Sequence, residues 1–134
     1  MREMDEKLLN AAYTGAVETA RQLIDMGANP NAHDRNGDTP LHYAAACGHI
    51  AICQILLDHG ANPSAREKIG ETPLHAASRA GKGNTRALLI KAGADPLALD
   101  GYGNPAWAMA ENQETANRIA LAIMTSVKHG YCDS

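Results

Sequence analysis

The sequence has no phenylalanine, one tryptophan (Trp107) and four tyrosines in 134 residues. A core built around aromatic rings is therefore excluded. Although 45% of the residues are hydrophobic, that mass is mainly Ala, Leu and Ile, which suits small side chains between closely approaching helices. Long apolar runs are missing too: nowhere do the roughly 18 apolar residues of a membrane-crossing helix follow one another. The stretch from Met1 to Asn10 is charged and lacks the apolar segment of a signal peptide. The chain is thus expected to be soluble, with the cytoplasm as its default location, although a bacterial protein delivered into a host by a secretion machine would share this composition. Excess positive charge is absent, since the net charge is −3. Phosphate backbones and anionic membranes would not attract such a chain, so neither nucleic acid nor a membrane is an expected partner. Cysteine is scarce, and its odd count (Cys47, Cys53, Cys132) without a CxxC pair fits free thiols in a reducing compartment.

Signatures of catalysis are missing as well. There is no G-x-S-x-G elbow and no G-x-x-x-x-G-K-[ST] run. The spacing of His42, Cys47, His49 and Cys53 matches no zinc pattern. No enzyme activity, cofactor or metal is expected.

What is present is a repeat. Thr39-Pro40-Leu41-His42 returns as Thr72-Pro73-Leu74-His75 after 33 residues. Gly27-Ala28-Asn29-Pro30 is followed at the same period by Gly60-Ala61-Asn62-Pro63 and Gly93-Ala94-Asp95-Pro96, and Gly37, Gly70 and Gly103 keep step. Thr39 and Thr72 can cap helices whose first residue is Pro40 or Pro73, where a missing N–H costs nothing. Gly48 and Gly81 suit the left-handed turn that ends such a helix. A second helix carrying Ile50, Ile52, Cys53, Ile55, Leu56 and Leu57 follows, and Gly60 to Gly70 is rich in turn-forming residues.

This pattern resembles the ankyrin-repeat family, whose T-P-L-H-x-A signature it matches at Thr39 to Ala44 and Thr72 to Ala77. The resemblance implies one domain of four units, near 1–34, 35–67, 68–100 and 101–134, the first and last being divergent caps. That division reads as a complete small protein. The expected fold is an all-α repeat solenoid of helix-turn-helix units joined by β-hairpin-like fingers. His42 and His75 occupy a position that, by the resemblance, fixes the stacking of units. Gly83, Thr85 and Arg86 stand where the second unit has Ile50, Ile52 and Cys53, so the second helix of the third unit is expected to be short or displaced.

By the same resemblance, fingers and first helices line a concave groove that binds another protein. The finger candidates are His33, Arg35, Asn36 and Asp38, then Lys68, Ile69 and Glu71, then Tyr102 and Asn104. The first-helix candidates are Tyr13, Tyr43, Ala46, Cys47 and Arg79, with Asn112 and Gln113 in the last unit. The expected function is a non-enzymatic, monomeric protein-binding module. The alternative is a regulatory or inhibitory subunit, or a bacterial effector, that modulates a partner enzyme.

Overall fold

The computed structural model describes residues 2–106. Within them the chain forms six helices: α1 (Glu3–Thr14), α2 (Val17–Asp25), α3 (Pro40–Cys47), α4 (Ile50–Asp58), α5 (Pro73–Arg79) and α6 (Gly83–Lys91). Each odd-numbered helix packs on the even-numbered helix that follows it. The pairs then stack, so that α1, α3 and α5 form one layer and α2, α4 and α6 the other. This is the all-helical repeat stack anticipated from the register. Among the described residues the only β pairing is an isolated bridge between Leu99 and Pro105; the fingers are closed turns rather than strands.

Each TPLH opens a helix by the expected chemistry. Thr39 is extended (φ −93°, ψ 167°), its hydroxyl accepts the His42 N–H, and Pro40 is the first helical residue. The His42 ring completes the exchange, its Nδ1 accepting the Thr39 N–H at 3.1 Å. This is a capping box in which imidazole replaces the usual Glu or Gln. Because Nδ1 accepts, the proton sits on Nε2, which donates to the Glu71 carbonyl of the next unit at 2.8 Å. His75 does the same, with Thr72 as its cap at 3.2 Å and the Asn104 carbonyl at 2.8 Å. One ring therefore starts its own helix and ties it to the following finger.

The first helices also end alike. Gly15, Gly48 and Gly81 have φ of 83°, 74° and 75°. The N–H after each one bonds back to Ala11, Ala44 or Ala77 at 3.0, 2.9 and 2.9 Å, which is the Schellman closure. That turn launches the second helix at a fixed angle. It also explains a departure from expectation: α6 is neither short nor out of register, but spans nine residues like α2 and α4. Its start is set by the turn before it rather than by the apolar residues it lacks. Thr85, at the place of Ile52, is buried, and Leu89 is fully buried, so the helix still seals against the stack.

Gly83 lies in the first turn of α6, and a Cβ built on it meets nothing within 4 Å. Gly83→Ala is therefore expected to stabilise the protein by about 0.5–1 kcal/mol, read as a higher urea midpoint. A lowered midpoint would mean that something other than the turn constrains this position.

The core follows the same period. Leu8, Leu41 and Leu74 from the first layer and Leu23, Leu56 and Leu89 from the second are all buried, joined by Ala12, Ala45 and Cys53 in one cluster. Small residues there let the layers approach closely, as the composition implied. In the first unit α1 begins at Glu3 without a side-chain cap, ahead of the position that corresponds to Pro40. The helix boundaries of the fourth unit, and Trp107 with them, lie outside the described residues.

Candidate protein-binding groove

The fingers are shaped by one acidic residue each. Oδ1 of Asp34 accepts the N–H groups of Asn36 and Asp38 at 2.9 and 3.0 Å. Oε1 of Glu67 accepts those of Ile69 and Glu71 at 2.6 and 2.9 Å, and Oδ1 of Asp100 those of Tyr102 and Asn104 at 2.8 and 2.9 Å. The backbone closes the turn in every case, from Asp34 N–H to Asp38 O, Glu67 N–H to Glu71 O and Asp100 N–H to Asn104 O, each at 3.0 Å. Successive fingers are also stitched together, Lys68 N–H donating to Asn36 O at 2.8 Å and Gly101 N–H to Ile69 O. Asp34, Glu67 and Asp100 are thus the turn-builders of the three fingers.

The tip side chains project from turns closed by the backbone and one carboxylate, and among them His33 also bonds the Asp34 carbonyl at 3.2 Å through Nδ1. His33, Arg35, Asn36, Lys68 and Asn104 are exposed, and so are the apolar Ile69 at 43% and Tyr102 at 76%. Tyr43 and Tyr13 are half-buried on α3 and α1. Their rings meet edge to face with centroids 5.9 Å apart, and the Tyr43 hydroxyl donates a very short bond to Asp34 Oδ2. Burial, that bond and the neighbouring carboxylates of Asp34 and Asp38 all push the Tyr43 hydroxyl above the ordinary tyrosine range. It remains a protonated donor.

Tyr13, Tyr43, His33 and Arg35 come together around an open cleft of about 780 Å³ between α1 and the first finger, with Asp34 at its side. Three further residues line it that the sequence did not offer: Glu6, Leu9 and Asn10. They sit on α1 where the first unit lacks TPLH, so no motif marked them. Their spacing with Tyr13 along one helical face was the available signal.

Three candidate residues are not at the surface. Asp38 and Glu71 lie at the finger bases, where the chain turns back into the stack, and are 5% and 2% exposed; Ala46 is 2% exposed. Glu71 also accepts the His42 bond through its carbonyl, and its carboxylate forms a close ion pair with Arg79. Arg79 is exposed but already engaged from within the protein. Cys47 is half-buried. Cys53 is a buried free thiol, which burial raises to a pKa of about 12 and so leaves unreactive. Asn112 and Gln113 lie outside the described residues.

The two histidines that flank α4 have local partners. His49 Nε2 bonds to the Tyr13 carbonyl at 3.2 Å and His59 Nδ1 to the Ile55 carbonyl at 2.8 Å. Burial lowers His42 to a pKa of about 4. Among the described residues no group of three or more His, Cys, Asp or Glu is placed to hold a metal ion, and no helix is long and apolar enough to cross a membrane.

Comparison with known proteins agrees with this geometry. Residues 8–100 match a family model described as ankyrin repeats in three copies. Over 37 residues, 28% of this chain, the sequence is 54% identical to the ankyrin repeat and LEM domain-containing protein 1 homolog of Caenorhabditis elegans, covering 5% of that protein. Over stretches of the same length it is 49% identical to an ankyrin repeat protein of Fowlpox virus and 51% identical to cyclin-dependent kinase 4 inhibitor B of Mus musculus, covering 26% and 28% of them. The aligned part of the chain thus spans under a third of each of these relatives. Ankyrin repeats are protein–protein interaction modules, and with the shared period, the paired TPLH caps and a family match across most of its length, this chain belongs to the ankyrin-repeat family.

Proposed function

We propose that this protein is a non-enzymatic module that holds a partner protein in the groove formed by its fingers and first helices, working as a monomer in the cytoplasm. The observation that carries this reading is the division of labour in the fingers. Each turn is closed by backbone bonds and one acid, and Arg66 ties the second finger together through the Gly70 and Leu99 carbonyls, while Ile69 and Tyr102 stand exposed at the tips without a core to enter. Exposed aromatic and aliphatic residues on a rigid frame are what protein interfaces use as anchors. The four-unit division, 1–34, 35–67, 68–100 and 101–134, belongs to the same proposal, with the outer units as caps.

The test is affinity capture from native lysate with the wild type and with a Lys68→Glu, Ile69→Asp, Tyr102→Ala variant. All three residues are exposed, so circular dichroism should be unchanged. The groove reading expects a partner that the wild type retains and the variant loses. Retention of the same partners by both would move the binding surface elsewhere.

A second reading is favoured by one observation, the 51% identity over 37 residues to cyclin-dependent kinase 4 inhibitor B. In that reading the protein is a regulatory or inhibitory subunit, or a delivered effector, and its partner is an enzyme. Adding the protein to the captured partner and measuring that partner's turnover separates the two: unchanged turnover supports a holder, reduced turnover an inhibitor.

A further inference from the structure

We propose that the cleft between α1 and the first finger receives an arginine or lysine side chain presented by the partner protein. This rests on the groove reading above and adds to it the chemistry of one contact. The cleft is lined by Tyr13 and Tyr43, whose rings meet edge to face, and by Glu6 and Asp34. Two aromatic rings beside two acids form a setting in which a cation gains from both ring quadrupole and charge.

The two acids are not equivalent. Asp34 is committed to its turn through Oδ1 and to Tyr43 through Oδ2, so it supplies charge rather than an open acceptor. Glu6 is different. Its neighbours on α1 are paired, Arg2 with Asp5 and Lys7 with Glu3, but no cation reaches Glu6 among the described residues. It is exposed and lines the cleft, which makes it the direct acceptor for an incoming guanidinium or ammonium. Asp38, beneath the finger, adds to the negative field already felt at the Tyr43 hydroxyl. The opposing group is Arg35, exposed and the sole cation among the lining residues. Its like charge opposes an entering cation, so Arg35 works against what Glu6 favours.

Opposite signs at two exposed positions make the test sharp. Acetylated, amidated Gly-Gly-X-Gly-Gly peptides, with X as arginine, norleucine or glutamate, are titrated into the intact chain while the Tyr13 and Tyr43 ring signals are followed by NMR. The arginine peptide should shift both rings saturably, and more weakly as salt is raised. Glu6→Gln should weaken that binding by about threefold and Arg35→Ala should tighten it by about threefold, the range of a single exposed charge contact. Equal shifts from norleucine would assign the cleft to apolar side chains. Preference for glutamate, no shift with any peptide, or indifference to both substitutions would each overturn the proposal. A partner lost on changing Lys68, Ile69 and Tyr102, together with a cleft blind to arginine, would leave the groove reading standing and remove this one.

Discussion

Acidification from pH 7 to pH 4.5 should cost this protein much of its stability through one buried histidine, His42. His42 is fully buried, caps α3 through Nδ1 and donates from Nε2 to the Glu71 carbonyl, an arrangement open only to the neutral ring. Burial holds its pKa at about 4 in the folded protein, against 6.5 for an ordinary histidine. The unfolded chain therefore binds this proton first. The stabilisation is complete above pH 6.5, declines as the pH falls from there, and is gone near pH 4. Over that window the loss is about 3 kcal/mol, a large part of the 5–15 kcal/mol or so that a small domain usually commands. Urea unfolding at steps between pH 7.5 and 4.5, followed by circular dichroism, should show a steadily falling midpoint. In the native state the His42 ring signals should stay at their neutral positions down to about pH 4; a native His42 titrating near 6.5 would refute the argument. Below this range a further decline belongs to Asp5, which the Asn29 N–H holds below the ordinary carboxylate range. Asp100 adds to it, because N–H bonds from Asn104 and Tyr102 outweigh the effect of its burial.

A loss of similar size is expected from Leu41→Ala. Leu41 is wholly buried on α3, which packs against both α1 and α5, so the cavity opens where the stack is covered on both sides. Such truncations cost about 2–5 kcal/mol, and the upper half of that range applies because surrounding alanines have little side chain with which to fill the space. Leu97→Ala is the control, since Leu97 is 65% exposed and its loss should change stability by no more than about 0.5 kcal/mol. Equal destabilisation by the two substitutions would show that the first layer is not the mechanical centre of the stack. Because each unit touches only its neighbours, the Leu41→Ala unfolding curve is also expected to broaden as cooperativity between the flanking units weakens.

The fold was legible because its punctuation is local. Thr39, Pro40 and His42 declare a helix start within four residues, and Gly48 declares its end, so neither needs information from elsewhere in the chain. The misreading of α6 has the same origin in reverse. Gly83, Thr85 and Arg86 lack the apolar side chains that the second unit has in their places, whereas the Lys82 N–H bond to the Ala77 carbonyl fixes the helix before those residues are reached. The groove was less legible. Ile69 and Tyr102 could be found from the register alone, being apolar residues at turn tips. Asp38 and Glu71 could not be removed from the list in the same way, because their burial depends on how the finger folds back on the stack. Glu6, Leu9 and Asn10 escaped notice because the first unit carries none of the marks by which the others were aligned.

The finger construction has a consequence for how this protein can change. Rewriting Arg35, Asn36, Lys68 or Ile69 alters what the surface says without disturbing the grammar that holds it, since Asp34 and Glu67 keep those two turns closed. Gly101 is the exception: a Cβ there would stand 2.4 Å from the Ile69 carbonyl oxygen. The third finger therefore has a smaller vocabulary than the other two, and new specificities can be written most freely toward the amino-terminal end, with Tyr102 left as the most replaceable letter at the other.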